Sequence, residues 1–513
     1  MQNSLPQDDW GPFGRPLFED AKSRGLSRVG VVDIGSNSVR MVVFDGAARS
    51  PAYFFNEKIL CGLGAGMNET GRLNPEGRER ALVALRRFQC LAEGMDLAPL
   101  TVVATAAMRE AEDGPEFKEI IEKETGLTVY VIDGEEEARL SAQGVLLGWP
   151  GSYGLICDIG GSSMELAEIH DGQVGRRVTS PLGPLKLRDL EGGAEARKAR
   201  IKTVMAELRD HMGKQRDRLF LVGGSWRALA KVDMLRRDYP LHVLHEYRMD
   251  ADAVAQTITF IEQHTPEELR KLCGISSTRM SLLPYAAEVL EELLKQFKPA
   301  DIAISSYGIR EGMLYEQMPE ELRRRDPLIE ASRFSEAKDA RLPGFGKRLY
   351  SFVKPLFPDA DETRLRLIKA ACLMHDVSWR AHPDYRAEIC FDNATRANLG
   401  GLKHSERVYL GISLLYRYRN KPEGTHFEPL FDLLDQDDQL EAEILGKAMR
   451  LGAMLWMDKL TREEAQLLWD PKTRDLSLRL SEKSAPLYGE VTEARFRSLA
   501  AALQAESAEM VVD

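Results

Sequence analysis

Two stretches of the chain, VVDIGSNSVRMVVFDG at 31–46 and ICDIGGSSMELAEIHDG at 156–172, share one pattern. Each has an apolar strand that runs into Asp-Ile-Gly, a turn of small polar residues, a second strand and an Asp-Gly turn. The two copies lie about 125 residues apart, which is far too long for one unit of a solenoid. The repeat therefore predicts two related α/β domains, each of which begins with a β-hairpin.

The turns of both hairpins have the composition of phosphate-binding loops. Glycine lets the backbone come close to an anion, and small polar side chains add hydrogen-bond donors. The candidate phosphate ligands are Gly35, Ser36, Asn37 and Ser38 in the first loop and Gly160, Gly161, Ser162 and Ser163 in the second. A third candidate loop, Gly223-Gly224-Ser225, follows the predicted strand 219–222, although Ser225 would equally serve as a helix cap. One such turn could belong to any hairpin, whereas three in one chain favour a phosphate site.

The two copies differ in their charged residues. Arg40 in the first copy corresponds to Glu165 in the second, so a cleft between the loops would have a cation on one side and a carboxylate on the other. Asp158 and Glu165 together suit Mg²⁺ or another divalent cation, which takes one or two carboxylates beside waters and phosphate oxygens. Asp33, the equivalent of Asp158, is a third candidate metal ligand or else a cap of its own turn.

The bulk composition is that of a soluble globular protein, with 43% hydrophobic and 29% charged residues among 513. A chain of this length predicts three or four domains. A net charge of −11 argues against nucleic acid or anionic membrane as a partner, but a locally basic channel for a polyanion is compatible with it. We expect no membrane span, no secretory signal and, from six cysteines without a CxxC pair, reduced thiols in a cytoplasmic protein.

The strand and helix signals predict the domain organisation. We expect a flexible N-terminal extension at 1–27, a first α/β domain at 28–145, a second at 146–316 and a mostly helical region at 317–505. The helical region shows 3.6-residue periodicity at 364–374, 405–417 and 440–457, and one hairpin is expected near 474–482.

Five motifs, DIGSNSVR, VATAAMR, GEEEARL, DIGGSSMEL and SSYGIREG, resemble those of the exopolyphosphatase / guanosine pentaphosphate phosphatase family. More broadly, the paired Asp-Ile-Gly hairpins and the later Gly-Gly loop look like the phosphotransfer fold of actin, hexokinase and Hsp70. The resemblance covers residues 28–316 and implies two tandem ribonuclease H-like (actin-like) domains, followed here by the helical region. It also implies release of terminal orthophosphate from a phosphate chain with a divalent metal. A homodimer, and K⁺ as a second ion, are expectations from the resemblance alone.

The resemblance also suggests roles for charged residues outside the loops. Arg109, at the end of VATAAMR, and Arg40 are the predicted phosphate-binding cations, with a surface salt bridge as the alternative for each. In GEEEARL the family motif implies that the residue directly before Ala-Arg activates water, which is Glu137 here. The acidic run is longer than usual, so Glu136 remains a one-residue alternative, and Glu135 needs no role beyond complementing the helix dipole.

His375-Asp376 resembles the metal-binding pair of HD phosphohydrolases. No histidine lies between residues 266 and 374 to supply the upstream ligand. We therefore expect a degenerate HD-like module that holds substrate or a partner domain. The basic residues Lys403, Arg407, Arg417 and Arg419 would line a channel for a polyanion or form a solvated helix face.

The predicted function is that of an exopolyphosphatase in which Glu137 activates the attacking water. Hydrolysis of guanosine pentaphosphate to tetraphosphate is the alternative, and it would need a purine pocket. A sugar or acetate kinase would need an ADP site near Gly223-Gly224, which the bulky Trp226 and Arg227 disfavour. A non-catalytic sensor is disfavoured because Glu137, Asp158 and Glu165 are all present.

Overall fold

The computed structural model describes residues 28–45, 49–214, 217–422, 424–455 and 465–512. Three predicted features lie outside these residues: the extension at 1–27, Gly46 of the first Asp-Gly turn, and residues 456–457 of the last predicted helix. The chain divides into two compact units, Met1–Arg325 and Asp326–Asp513.

The described residues of the first unit form two mixed β-sheets. The strands of the first sheet are β1 (Val29–Ile34), β2 (Ser38–Phe44), β3 (Tyr53–Leu60), β4 (Thr101–Ala104) and β5 (Val129–Val131), in the order β3-β2-β1-β4-β5. The strands of the second sheet are β6 (Gly154–Ile159), β7 (Met164–His170), β8 (Gln173–Ser180), β9 (Arg218–Val222), β10 (Arg248–Met249) and β11 (Asp301–Ser305), in the order β10-β11-β9-β6-β7-β8.

Apart from the edge strand β10, the two sheets share one topology. In each sheet the first three strands form an antiparallel meander with the first strand on its inner side. The other edge of that first strand pairs with a parallel strand. The hairpin registers are also the same, because Asp33 pairs directly with Arg40 and Asp158 pairs directly with Glu165. The duplication predicted from the repeat is therefore confirmed, down to the pairing of its four charged residues.

Helices cover both sheets of the first unit. They are α1 (Met67–Thr70), α2 (Pro75–Gly94), α3 (Ala106–Glu110), α4 (Gly114–Thr125), α5 (Gly134–Gly148), α6 (Pro184–Arg188), α7 (Gly193–Met212), α8 (Gly224–Arg236), α9 (Ala251–Glu262), α10 (Pro266–Cys273), α11 (Ser277–Phe297), α12 (Ile309–Glu316) and α13 (Glu320–Arg323). Their starts follow the local sequence: Asn74 caps α2 ahead of Pro75, and the Asp133 side chain caps α5 by accepting from the Glu136 N–H at 2.8 Å.

Two helices, α5 and α12, pack backbone to backbone beside the sheets. A Cβ on Gly144 of α5 would lie 2.1 Å from the Gly308 carbonyl oxygen, and a Cβ on Gly312 of α12 would lie 1.8 Å from the Leu140 carbonyl oxygen. Glycine is therefore required at both positions. One hydrophobic core contains side chains of both helices and of both sheets, including Val31 and Ile156, so the two halves of the first unit share their packing.

The second unit is mostly helical within its described residues. Its helices are α14 (Pro327–Asp339), α15 (Phe345–Val353), α16 (Glu362–Met374), α17 (Arg386–Arg396), α18 (His404–Tyr416), α19 (Glu428–Phe431), α20 (Gln436–Gly452) and α21 (Glu490–Ala502). A three-stranded sheet of β12 (Ala465–Asp470), β13 (Asp475–Leu480) and β14 (Ser507–Val512) accompanies them. The predicted hairpin is present as β12 and β13. The parallel strand β14 was not predicted, because a six-residue segment with mixed polarity has no clear strand period.

The His375-Asp376 pair is buried in the second unit. Both carboxylate oxygens of Asp376 accept hydrogen bonds from the Arg341 guanidinium, at 2.5 and 2.8 Å, and His375 Nδ1 lies 2.8 Å from the Cys372 carbonyl oxygen. Arg407, placed by prediction on a channel or a solvated face, is instead buried and donates to the carbonyls of residues 395, 397 and 399. The HD-like assignment itself stays a prediction.

No helix within the described residues is long and apolar enough to cross a membrane.

Candidate active site

A cavity of about 360 Å³ in the first unit brings the three predicted loops together. Its lining includes every candidate phosphate ligand from the loops, together with Asp33, Arg40, Glu137 and Asp158. The two hairpin loops face each other directly, since Ser162 Oγ lies 3.3 Å from Ser36 Oγ. The arrangement predicted from the repeat, with the loops on opposite sides of a cleft, is the one that the structure has.

The two hairpin loops have the same internal geometry. In the first, the Gly35 N–H donates to the Ser38 carbonyl at 3.0 Å; in the second, the Gly160 N–H donates to the Ser163 carbonyl at 3.0 Å. The third loop comes close because Gly223 has φ +117°, and a Cβ there would lie 2.6 Å from the Ile159 carbonyl oxygen. Ser225 lines the cavity at the start of α8, whose N-cap is Gly223, and makes no side-chain cap.

Glu137 is the buried carboxylate of the first turn of α5 and the acidic residue of GEEEARL that lines the cavity. Its neighbour Glu136 instead forms an ion pair with Arg139 at 2.6 Å. Burial raises the pKa of Glu137 to about 8, and the charges of Asp158 and Asp33 add to the rise, while Arg109 opposes it. A carboxyl group in this state exchanges its proton close to neutral pH.

Arg109 lies beside Glu137 rather than on the cavity lining. Its Nη1 donates to the Ile132 carbonyl at 2.8 Å and to Glu137 Oε2 at 3.3 Å. The guanidinium is thus anchored to the end of β5 and holds the Glu137 carboxylate. This geometry places Arg109 next to the predicted general base, where it favours the ionised form of that base.

The three predicted metal ligands are carboxylates, of which Glu165 is buried and Asp33 and Asp158 are partly exposed. The Asp33 carboxylate accepts from Arg310 at 3.2 Å, and the Asp158 carboxylate accepts from the Ser141 hydroxyl. Burial raises the pKa of both groups. Glu165 lies off the cavity lining, where it accepts from Thr179 Oγ1 at 3.1 Å; its Oε2 has no hydrogen-bond partner in the described part of the chain. Burial, together with the charges of Glu137 and Asp158, raises the pKa of Glu165 well above its usual range.

Five basic side chains, which we call the basic wall, line the cavity beside these carboxylates. They are Arg40, Lys58, Arg227, Arg279 and Arg310, and they come from five elements: β2, β3, α8, α11 and α12. Burial lowers the pKa of Arg40, Lys58, Arg227 and Arg279, and mutual repulsion adds to the effect for all but Arg279. Such crowding of like charges is relieved by a bound polyanion.

Sequence reasoning missed four of these five cations. Arg310 belongs to the quoted motif SSYGIREG and Arg227 follows the third loop directly, so both could have been proposed from their positions. Lys58 and Arg279 lie in an edge strand and a long helix with no motif around them. Nothing in the sequence indicated that these two side chains reach the cavity.

Duplicated sheets with paired hairpin loops, and one cavity lined by both carboxylates and basic side chains, together define a phosphotransfer fold of the actin-like class. Comparison with solved structures supports the fold. The Aquifex aeolicus member of the Ppx/GppA family has a TM-score of 0.50 and 24% identity, over 58% of this chain and 99% of that one. An exopolyphosphatase from Cytophaga hutchinsonii has a TM-score of 0.52 and 23% identity, over 57% of this chain and 98% of that one.

The chain belongs to the Ppx/GppA phosphatase family, whose model matches residues 42–321. A second family model, described as exopolyphosphatase, C-terminal, matches residues 342–511. Among characterised relatives, Exopolyphosphatase 1 of Mycobacterium tuberculosis is 25% identical over 57% of this chain and 89% of its own length. Retrograde regulation protein 2 of Saccharomyces cerevisiae is 26% identical over 79% of this chain and 75% of its own length.

Proposed function

We propose that the protein is an exopolyphosphatase, a hydrolase that releases terminal orthophosphate from inorganic polyphosphate. The observation that carries the proposal is that five basic side chains and the paired phosphate-type loops line one cavity. The family models and the relatives named exopolyphosphatase support the same activity.

The loops and the basic wall would bind different parts of the phosphate chain. The backbone N–H groups of the hairpin loops would hold the terminal phosphoryl group, and Arg40, Arg227 and Arg310 would neutralise its oxygens. Lys58 and Arg279 would bind the phosphates that follow. Phosphoryl transfer depends chiefly on such positioning and charge stabilisation, which donors already in place before the substrate binds would supply.

Glu137 would orient the attacking water and accept its proton. A general base is most effective when its pKa lies near the working pH, and a pKa of about 8 meets that condition. Arg109 would act through Glu137 by holding its carboxylate at 3.3 Å in a fixed orientation.

The carboxylates clustered at the cavity fit a divalent cation. Asp33, Glu137, Asp158 and Glu165 repel one another, and Glu165 Oε2 lacks a partner among the described residues. No three His, Cys, Asp or Glu side chains of the described part are arranged to hold an ion by themselves, which suits Mg²⁺ sharing its shell with waters and phosphate oxygens. Asp158 and Asp33, the two predicted ligands that line the cavity, would hold the ion, which when bound supplies positive charge to the phosphoryl oxygens.

Guanosine pentaphosphate remains the alternative substrate, because its hydrolysis is the same reaction. A purine would need a surface on which to stack, and the one aromatic side chain among the described residues that line the cavity is Tyr307, which is buried. This feature favours a substrate made of phosphates alone. A homodimer, K⁺ as a second ion and a cytoplasmic location stay predictions from the sequence.

The substrate assignment is tested by measuring orthophosphate release from long-chain polyphosphate, guanosine pentaphosphate and ATP in parallel with Mg²⁺. We expect kcat/KM to be highest for polyphosphate. Turnover of the guanosine nucleotide without turnover of polyphosphate would contradict the proposal, and transfer of phosphate to a sugar would reassign the protein to the kinases.

The role of Glu137 is tested with Glu137→Gln, and Glu136→Gln serves as the matched control one residue away. We expect Glu137→Gln to lower kcat by about 10²–10⁴-fold, the usual contribution of a general base. Glu136→Gln removes an ion pair outside the cavity and is expected to keep kcat within about threefold of the wild type. Equal activity of folded Glu137→Gln and wild-type protein would remove Glu137 as the base.

A further inference from the structure

Glu311, in the first turn of α12, is a buried acidic residue next to the basic wall. Its side chain is 1% exposed and does not line the cavity, so the proposed reaction gives it no role. A buried charge is costly unless it is hydrogen-bonded and compensated. Hydrogen-bond donors and positive charges must therefore stabilise the buried Glu311 carboxylate.

The Glu311 carboxylate has two direct hydrogen-bond donors from different parts of the first unit. Its Oε2 accepts from the Gly308 N–H at 2.8 Å, which closes the turn that leads into α12. Its Oε1 accepts from the Tyr53 hydroxyl at 2.9 Å, and Tyr53 lies on β3 of the first sheet. The carboxylate thus ties the turn before Arg310 to the sheet that carries Arg40.

The charge of Glu311 acts on the arginines of the basic wall without pairing directly with any of them in the described structure. The nearest ion pair of Arg310 is with Asp33, at 3.2 Å. The field of Glu311 nevertheless raises the pKa of Arg40, Arg227 and Arg310, in opposition to burial. One buried carboxylate therefore offsets the crowding of three cations when no anion is bound.

We propose that Glu311 positions the turn before Arg310 and is the resident counter-charge of the phosphate-binding arginines, which limits the affinity of the cavity for phosphate. The inference rests on the proposed function, in which each cycle must release orthophosphate. A cavity with five cations and no such counter-charge would bind the product more tightly and let it go more slowly. Glu311 acts through Arg310, Arg40 and Arg227 and does not touch the substrate.

The test is Glu311→Gln, which removes the charge and keeps the shape. The glutamine carbonyl can still accept from the Gly308 N–H, and its amide can donate to the Tyr53 hydroxyl. Binding of tripolyphosphate, measured by calorimetry with EDTA present, is expected to tighten about tenfold, which corresponds to one lost repulsive charge at intermediate distance. Without ligand the melting temperature should fall, and saturating tripolyphosphate should restore most of the loss.

Two further variants separate charge from structure. Tyr53→Phe removes one hydrogen bond and keeps the charge, so it should leave tripolyphosphate affinity within about twofold of wild type. Glu311→Asp keeps the charge but shortens the side chain, so it should lose stability without gaining affinity. Equal tightening in Glu311→Asp and Glu311→Gln, unchanged or weaker binding in Glu311→Gln, or a thermal loss that tripolyphosphate does not reverse would each overturn the inference.

The binding measurement also keeps this inference separate from the proposed function. Calorimetry with EDTA requires no hydrolysis, so the affinity changes are readable even in an inactive protein. Absence of orthophosphate release by the wild type on any polyphosphate would refute the proposed function, and unchanged affinity in Glu311→Gln would refute the role of Glu311.

Discussion

At the scale of single residues, the pair formed by Arg109 and Glu137 controls the chemistry that we propose. Glu137 is desolvated beside other carboxylates, and Arg109 is the one cation in contact with it among the described residues. Desolvation and repulsion raise the pKa of Glu137, and the Arg109 charge lowers it. The fraction of Glu137 that can accept a proton at a given pH therefore depends on Arg109.

Replacement of Arg109 by glutamine is expected to shift the pH dependence of activity. A general base works in its deprotonated form, so kcat/KM of the wild type should rise with pH through about 8 and level off above it. Without Arg109 the pKa of Glu137 rises further, so the rise of kcat/KM with pH should move to higher pH. At pH 7 the loss should exceed about tenfold, with partial recovery at pH 9. A uniform loss at every pH would instead place Arg109 on the phosphate.

At the scale of elements, α5 and α12 connect the chemistry to the fold. Glu137 lies in the first turn of α5, and Arg310 lies in the first turn of α12. The two helices touch through the backbone at Gly144 and Gly312. The base and a phosphate-binding arginine are thus carried by one close helix pair, which limits their relative movement.

Gly312→Ala tests the importance of this helix pair, and Gly94→Ala in α2 is its control. A Cβ at Gly312 would lie 1.8 Å from the Leu140 carbonyl oxygen, whereas one at Gly94 would meet nothing within 4 Å. We expect Gly312→Ala to lower the free energy of unfolding by about 2–3 kcal/mol and also to lower kcat. Gly94→Ala should change stability by less than about 1 kcal/mol, in either direction. Chemical unfolding followed by circular dichroism measures both, and equal stabilities would contradict the contact.

At the scale of the whole molecule, an acidic chain encloses a basic cavity. The net charge is −11, yet five cations line the cavity together with the two hairpin loops. The overall field repels a polyanion at long range, and the local field attracts it at short range. For a polyanion to bind, ion pairing inside the cavity must therefore outweigh its repulsion by the acidic surface. Salt screens this repulsion.

The effect of ionic strength follows from this division. Raising NaCl from about 50 to about 500 mM should raise KM for polyphosphate several-fold, because salt weakens the exposed part of the cavity's attraction. The kcat should change little, since the buried contacts to the terminal phosphate are screened less. Steady-state kinetics on one defined chain length measures both, and a KM that falls with salt would show that repulsion by the acidic surface dominates.

The site could be predicted from sequence where a residue belongs to a local motif. The loop glycines and serines, Asp33, Arg40, Glu137 and Asp158 all lie in quoted motifs, and all line the cavity. Lys58 and Arg279 could not be predicted, because a side chain of β3 and one of α11 meet only after the sheets have packed. The contact of Arg109 with Glu137 likewise depends on how α5 packs in the fold. The same is true of Glu165, which does not line the cavity.

The sequence by itself determined the duplicated sheet. Its apolar strands with Asp-Ile-Gly turns impose the same hairpin twice, and the register Asp33–Arg40 and Asp158–Glu165 agrees with the shared turn and the apolar pattern of the strands. Only the tertiary structure decided which charges share the cavity and how strongly burial shifts their pKa values. Hairpin geometry is set by neighbours in sequence, whereas desolvation and charge coupling depend on atoms brought together from distant elements.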